Sequence, residues 1–201
     1  MPIMEWNKIL HFSGGDAREL IRGDLLIAEP LLREQFFNRA VILLLDVEKN
    51  SVMGLALNKR TNLYLSDIIP EWEGGAGIPL YCGGPVDTSR LFMLHTLGDI
   101  FTGSSEICPG IYVGGRLEDI IDYIEDGGDI AGKIRFFLGY SGWDGDQLRE
   151  ERSEGVWVSN YADDSTNLLS GSGNTFWRTQ VKRLGPKFRS WLSVPQDPSM
   201  N

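Results

Sequence analysis

A glycine-rich segment around a single serine is the part of this sequence closest to a catalytic motif. Residues 139–143 (Gly-Tyr-Ser-Gly-Trp) follow a predicted strand and precede a predicted helix, where a serine hydrolase places its nucleophile. That motif requires Gly-x-Ser-x-Gly, and Trp143 stands where the closing glycine is needed. The general base would have to come from His11 or His95, the only histidines of the chain. A tight glycine turn beside a packed tryptophan explains the segment more simply, so we predict no catalytic residue.

Metal-binding residue types are present, but their spacing does not match a metal site. Cys82, His95 and Cys108 form a soft-ligand set without the Cys-x-x-Cys or His-x-x-x-His pairs that hold zinc. The acidic segment Asp144–Glu151 lacks the glutamate that closes a calcium-binding loop at its twelfth position. A helix N-cap at the first aspartate accounts for that segment. The sequence therefore predicts neither a metal nor a cofactor.

A glycine-rich loop, Gly171-Ser172-Gly173-Asn174, precedes the last long helix of the predicted fold. Backbone N–H groups at a helix N-terminus can bind an anion. The loop lacks the lysine of a phosphate-binding P-loop and the preceding strand of a dinucleotide-binding turn. We interpret it as an ordinary glycine loop in which Asn174 caps the helix.

The charge balance argues against broad attraction to nucleic acid or to anionic lipid. The chain has 19 basic and 28 acidic residues, a net charge of −9, which disfavours contact with phosphate backbones. The segment from Trp177 onward is the exception, with five basic residues and one acidic residue. We expect this basic C-terminal helix to pack on the acidic body, or to contact an acidic partner, rather than nucleic acid.

The sequence predicts a cytoplasmic protein of ordinary globular composition. Hydrophobic residues make up 42% of its 201 residues. The longest apolar run, Ala40–Leu45, is far shorter than the roughly 20 residues that cross a membrane. The N-terminus has no charged segment followed by an apolar one, so no signal peptide is expected. Because the cytoplasm is a reducing compartment, Cys82 and Cys108 are not expected to form a structural disulfide.

Short apolar runs and amphipathic segments predict an α+β fold. The expected strands are 25–28, 41–45, 52–57, 78–82, 91–95, 111–113, 134–138 and 156–159. The expected helices are 17–21, 63–69, 117–124, about 145–153, one from Asn174 to about 184, and a last turn or two at 188–192. Most gaps between strands have hairpin length, so the sheet should be mostly antiparallel. We predict a single domain over residues 1–201, with a core at about 23–185 and terminal helices packed on it.

Several motifs taken together resemble the YqgE/AlgH family. They follow one another in the family's order from about residue 23 to residue 185. The motifs are Gly23–Pro30, Phe36–Leu44 with Gly54–Lys59, Gly83–Val86 with Leu91–His95, and Phe137–Glu151 with Trp157. The sequence departs from the usual pattern at Arg60, where proline is common, and at Ser141, where alanine is common. Asp146 and Arg149 also replace the small and acidic residues usual there.

The resemblance implies a bacterial protein of α+β fold, with a bifurcated mixed sheet surrounded by helices. Family members are often described as transcriptional regulators, and no reaction, cofactor or catalytic set is established for them. The resemblance therefore implies a non-catalytic, regulatory protein that acts through an unidentified small ligand or a protein partner. The acidic composition argues against direct DNA binding. An enzyme of unknown reaction that uses the same motifs is the alternative.

The same motifs suggest a shared ligand-binding cleft. Asn58 and Lys59 end a predicted strand, Gly83-Gly84-Pro85 turns between two strands, and residues 139–147 turn from strand to helix. Glycines at such ends allow the close approach of a ligand or of another backbone. Tight turns and internal hydrogen bonds are the alternative explanation. The predicted ligand-binding residues are Asn58, Lys59, Gly83, Gly84, His95, Gly139, Gly142, Trp143, Gln147 and Glu151.

Overall fold

Ten β-strands form the sheet of the computed structural model, which describes residues 18–162 and 167–196. The strands are β1 (Asp24–Ala28), β2 (Val41–Val47), β3 (Ser51–Ala56), β4 (Arg60–Tyr64), β5 (Pro79–Cys82), β6 (Val86–His95), β7 (Ser104–Cys108), β8 (Ile111–Gly114), β9 (Ile134–Asp144) and β10 (Trp157–Tyr161). The α-helices of the described residues are α1 (Leu117–Glu125), α2 (Gly145–Ser153) and α3 (Gly173–Arg183). Short 3₁₀ helices lie at Leu65–Asp67, Glu73–Gly75 and Pro186–Ser193.

The strands form one curled, mixed sheet. Along its main path the order is β10-β1-β2-β3-β9-β6-β8-β7, and every neighbouring pair is antiparallel. Strand β5 adds a parallel pair with β9 and an antiparallel pair with β4. This topology confirms the expected α+β fold with a mostly antiparallel, bifurcated sheet in a single domain.

The sheet branches at β9. Residues 80–82 of β5 pair in parallel with residues 136–138 of β9. Residues 91–93 of β6 pair with the same three residues in the antiparallel sense. Because a strand offers only two edges for hydrogen bonding, β5 and β6 lie on opposite edges of β9. The link between them, residues 83–85, must therefore cross β9.

Strands β1 and β2 are buried almost throughout, as their continuous apolar sequences predict. Successive side chains of a strand point to opposite faces, so Leu25 joins one hydrophobic cluster and Leu26 joins another. Helix α3 covers the first cluster through Trp177, and α2 covers the second through Leu148. A third cluster contains Ile120 of α1. Each helix thus packs against the sheet through its apolar side.

Helices α1 and α2 lie where the sequence predicts them. The carboxylate of Asp144 accepts a hydrogen bond from the backbone N of Gln147 at 2.8 Å, which is the predicted N-cap of α2. Helix α3 is present, but its N-cap is Ser172 rather than Asn174. Asn174 instead accepts a hydrogen bond from the guanidinium of Arg39 at 2.9 Å. Among the described residues, no helix is long and apolar enough to cross a membrane.

Three local predictions are wrong. Residues 60–64 form a strand because they pair with β5, and only 65–67 of the expected 63–69 helix are helical. Residues 18–21 are not helical, and the rest of the expected N-terminal helix lies outside the described residues. The predicted turn at residues 139–144 is the second half of β9, because β3 pairs with it there. Strand β7 has no counterpart among the predicted elements.

Candidate functional site

Gly83 and Gly84 lie in the link between β5 and β6 that crosses β9. Because these residues have no side chains, the backbone of the link can lie directly against the backbone of β9. A Cβ atom on Gly83 would overlap the carbonyl oxygen of Gly139, and one on Gly84 would overlap the carbonyl carbon of Tyr140. Gly139 has φ of +67°, and a Cβ there would lie 2.5 Å from the carbonyl oxygen of Gly84. No side chain fits at these positions. These three glycines therefore permit the branch of the sheet.

Backbone hydrogen bonds place Lys59 beside the same crossing. The N–H of Cys82 donates to the carbonyl of Lys59 at 2.7 Å, and the N–H of Ala56 donates to the carbonyl of Gly83 at 2.8 Å. The fully buried hydroxyl of Ser141 donates to the same Gly83 carbonyl at 3.0 Å. The segments that contain Lys59, Gly83 and Ser141 thus meet at the branch, mainly through main-chain contacts.

The side chain of Asn58 joins three segments inside the protein. Its Oδ1 accepts a hydrogen bond from the backbone N of Val41 at 2.9 Å. Its Nδ2 donates to the carbonyls of Arg39 at 2.9 Å and Gly173 at 3.0 Å. These hydrogen bonds hold the start of α3 against β2. Only 3% of Asn58 is exposed, so its amide is almost inaccessible to solvent.

The ammonium group of Lys59 is partly buried and donates a hydrogen bond to the carbonyl of Asn38 at 2.6 Å. Burial lowers the pKa of Lys59 to about 8, and the nearby Cys82 side chain opposes that shift. Burial also raises the pKa of the Cys82 thiol. An amine with this pKa is neutral in a substantial fraction of molecules at mildly alkaline pH.

His95 lies apart from the crossing and packs as a core residue. It pairs with Ile134 at the start of β9. Its Nε2 lies 2.9 Å from the hydroxyl of Ser104, and its ring packs against Phe101 and Tyr112, with centroids 5.0 and 5.6 Å away. Burial lowers the pKa of His95, which favours the neutral imidazole.

Trp143, Gln147 and Glu151 form a separate cluster with Trp157. One carboxylate oxygen of Glu151 accepts hydrogen bonds from the indole Nε1 of Trp143 at 3.0 Å and of Trp157 at 2.7 Å. The other oxygen accepts from Nε2 of Gln147 at 2.7 Å. Both oxygens are therefore occupied by β9, β10 and α2 side chains. Gly142 is exposed on β9 close to this cluster.

Two buried arginines that the sequence analysis did not single out connect the same elements. Arg135 donates hydrogen bonds to the carbonyls of Leu57, Leu169 and Gly171, at 2.6–2.8 Å. Arg39 donates to the carbonyls of Val194 and Pro195, both at 2.8 Å. In the described part of the chain neither arginine pairs with a carboxylate, and burial lowers the pKa of both. Their partners are distant in sequence, so no local pattern could have indicated them.

Two cavities lined by described residues lie elsewhere. The larger, which we call the hairpin cavity, has a volume of about 700 Å³ and lies between residues 18–20, the β2–β3 hairpin and α2. Its charged lining residues are Arg18, Glu19, Glu48, Lys49, Arg149 and Arg152. The smaller cavity, of about 270 Å³, lies beside residues 167–172 at the start of α3. None of the ten predicted site residues lines either cavity.

Similarity to known proteins settles the family. A family model described as AlgH-like (DUF179) matches residues 25–189. This chain belongs to the AlgH-like family. A UPF0301 protein of Bacteroides thetaiotaomicron is 41% identical over 180 residues, which cover 90% of this chain and 91% of the relative. UPF0301 protein BF2109 of Bacteroides fragilis is 43% identical over 180 residues, with the same coverage.

Two proteins of known structure share the fold described above. The crystal structure of protein DIP2367 from Corynebacterium diphtheriae aligns with a TM-score of 0.70 and 20% identity, over 87% of this chain and 92% of that one. The solution structure of AlgH from Pseudomonas aeruginosa aligns with a TM-score of 0.66 and 25% identity, over 89% of this chain and 97% of that one. The family model and the Bacteroides relatives confirm the family that the sequence motifs indicate. The names of these relatives and of the two solved structures state no reaction and no ligand.

Proposed function

We propose that this AlgH-like protein is a non-catalytic, regulatory protein of the bacterial cytoplasm that acts by binding a small anionic molecule in the hairpin cavity. The observation that carries the proposal is the charge of this cavity in an acidic protein. The chain has a net charge of −9, yet four of the six charged residues that line the cavity are basic. The excess of basic side chains favours an anionic ligand at this place.

The size and the apolar lining of the cavity suit a small organic molecule. Its volume of about 700 Å³ falls within the range of about 300–1,000 Å³ that is typical of ligand sites. The apolar lining residues are Leu20, Val47, Val52 and Leu148. A ligand with one anionic group and one apolar part would use both kinds of surface.

Two of the arginines are held in position by the protein itself. Arg18 donates a hydrogen bond to the carboxylate of Asp24 at 2.8 Å. Arg152, which is 9% exposed, donates to the carbonyl of Arg18 at 2.9 Å and to the hydroxyl of Ser159 at 3.3 Å. Such preorganised groups lose little conformational freedom when a ligand binds. Their arrangement supports binding of an anion in the cavity.

The positions of the groups with displaced pKa values favour binding over catalysis. An active site usually places such groups in a cleft. Burial displaces the pKa values of Lys59, Cys82 and His95, and none of the three lines the hairpin cavity or the cavity at α3. This separation supports a binding protein.

The packing of α3 supports a small ligand rather than DNA. Trp177 of this helix is fully buried, and its indole donates to the carbonyl of Ala28 at 2.8 Å. The guanidinium of Arg178 donates to the carbonyl of Leu192 at 2.8 Å. The basic helix therefore packs on the sheet, and one of its cations serves an internal contact. The net charge of the whole chain also opposes binding to a phosphate backbone.

Mass spectrometry of the small molecules that co-purify with the protein from bacterial cells tests the proposal. We expect an anionic molecule with the wild type, and at least about tenfold less of it with the double variant Lys49→Glu/Arg149→Glu, since lost charge contacts weaken anion binding. Arg149 forms a surface ion pair with Asp146.

The double variant Lys133→Glu/Lys182→Glu is the matched control. It changes the net charge equally and also breaks one surface ion pair, between Lys133 and Asp129, but neither residue lines the hairpin cavity. We expect it to retain the molecule as the wild type does. Equal retention by the cavity variant, or no retained molecule in any of the proteins, would contradict the proposal.

A further inference from the structure

Lys59 and Cys82 bring an amine and a thiol together at the branch of the sheet. Lys59 immediately precedes β4 and Cys82 ends β5, and the N–H of Cys82 donates to the carbonyl of Lys59 at 2.7 Å. Arg60 pairs with Tyr81 in the antiparallel register, so Lys59 stands directly opposite Cys82, and residues directly opposite each other carry their Cβ atoms on one face, about 4.5–5.5 Å apart. Each of the two residues is partly exposed.

The surroundings of Lys59 keep its amine available for reaction. Its Nζ donates to the carbonyl of Asn38 at 2.6 Å and lies 5.9 Å from the centre of the Phe36 ring. Within residues 18–162 and 167–196, no carboxylate lies within ion-pairing distance of this Nζ. Burial lowers its pKa to about 8, so a large fraction of the amine is neutral at mildly alkaline pH. A neutral amine attacks carbonyl carbon, whereas an ammonium ion does not.

Cys82 supplies a second nucleophile in a protonated form. It is a free cysteine whose Sγ lies 3.5 Å from the carbonyl oxygen of Gly84, to which the thiol donates. Burial raises the pKa of this thiol, with the Gly84 contact and Lys59 opposing the shift. The S–H proton is therefore retained near neutral pH. A protonated thiol beside an imine can deliver both its sulfur and its proton.

We propose that Lys59 and Cys82 together form a covalent capture site for small aldehydes. The Nζ of Lys59 bonds to the aldehyde carbon, and the carbonyl oxygen leaves as water with two amine protons, giving an imine. The Cys82 S–H then adds across the C=N bond, with sulfur bonding to carbon and the proton going to nitrogen. One aldehyde, one amine and one thiol yield one N,S-acetal and one water, without oxidation or reduction. This site is independent of the hairpin cavity.

Labelling with o-phthalaldehyde tests the proposal. This dialdehyde condenses with one amine and one neighbouring thiol, with loss of two waters, to a fluorescent isoindole. We expect one isoindole per wild-type chain. We expect at least about tenfold slower formation in Lys59→Arg and in Cys82→Ser, because the pair reacts through proximity. Lys133→Arg and Cys108→Ser are the controls and should label at the wild-type rate.

Peptide mapping of the labelled wild-type protein gives a second readout that does not depend on how the variants fold. We expect the isoindole to link the peptide containing Lys59 to the peptide containing Cys82. Wild-type fluorescence in the folded Lys59→Arg or Cys82→Ser protein would overturn the proposal. An isoindole that maps to another lysine or to Cys108 would overturn it as well.

Discussion

The carboxylate of Glu151 accepts a hydrogen bond from the indole of Trp157 at 2.7 Å, which joins helix α2 to strand β10. The same carboxylate oxygen accepts from the indole of Trp143 on β9 at 3.0 Å. Helix α2 also forms one side of the hairpin cavity. Glu151 therefore fixes the position of the cavity relative to the sheet.

Replacement of Glu151 by alanine should destabilise the protein by about 2–4 kcal/mol, because two indole N–H groups lose a charged acceptor. The free energy of unfolding in urea, followed by circular dichroism, measures this loss. Glu150→Ala is the matched control, since Glu150 is exposed on the same helix and should cost about 0.5 kcal/mol or less. Equal stability of the two variants would show that the Glu151 contacts contribute nothing.

Gly84→Ala should cost at least about 3 kcal/mol or abolish folding, because the added methyl group meets the backbone of β9, which cannot move aside. The thermal melting temperature measures the effect. Gly142→Ala provides the comparison within β9: the nearest atom to its Cβ would be a ring carbon of Tyr140 at 3.3 Å, which can shift. A Gly84→Ala protein that melts like Gly142→Ala would disprove the proposed role of the crossing.

Local sequence patterns predicted the strands and helices correctly where the burial of apolar side chains determines the local structure. The continuous apolar runs of β1 and β2 and the i, i+3, i+4 spacing of α1 gave correct elements. Strand β4 could not be predicted in this way, because four of its five residues are exposed and it exists only by pairing with β5. Whether such an exposed segment forms an edge strand depends on its pairing with a strand that is distant in sequence. That pairing cannot be predicted from local patterns in a single sequence.

The candidate site was less predictable than the fold. Glycines at strand ends indicate close approach without indicating what approaches. Gly83 and Gly84 meet the backbone of β9, and Asn58 makes all its side-chain contacts inside the protein. The hairpin cavity went unnoticed because charged residues such as Lys49 and Arg149 are also typical of an exposed helix or loop. Only the folded structure, which places these residues on neighbouring elements, shows that they line a cavity.

His95 should make the protein less stable as the pH falls below about 6.5. Burial lowers its pKa in the folded state, so the unfolded chain takes up a proton at a pH at which the folded protein still does not. The unfolded state then binds more protons, and the free energy of unfolding decreases from the unfolded pKa down to the folded one. Urea denaturation at several pH values between 7 and 5 measures the slope.

The variant His95→Gln is the control for that slope, because glutamine does not titrate. We expect its stability to change less with pH than the wild type over the same interval. The carboxylates of Asp119 and Asp129 have lowered pKa values, and the stability that they contribute is lost only at a lower pH. An identical slope in the wild type and the variant would contradict the assignment to His95.

Arg39→Lys should loosen the C-terminal segment 186–195. Arg39 donates to the carbonyls of Val194 and Pro195, and a lysine cannot reproduce the forked geometry of a guanidinium. Because the segment should then open locally more often, hydrogen exchange at the amides of residues 188–194 should become about tenfold faster. The amides paired between β6 and β9 serve as the internal reference and should exchange as before. Unchanged protection at 188–194 would show that Arg39 does not hold the segment.

A chemical-shift map of the protein with the anionic molecule recovered from it tests most directly whether that molecule binds in the hairpin cavity. Amide shifts of the ¹⁵N-labelled protein are measured before and after that molecule is added. The proposal predicts the largest changes at residues 47–49, 145, 148, 149, 152 and 153, which line the hairpin cavity. The largest changes at Gly83, Gly84 and Gly139 would contradict it and place the ligand at the branch of the sheet.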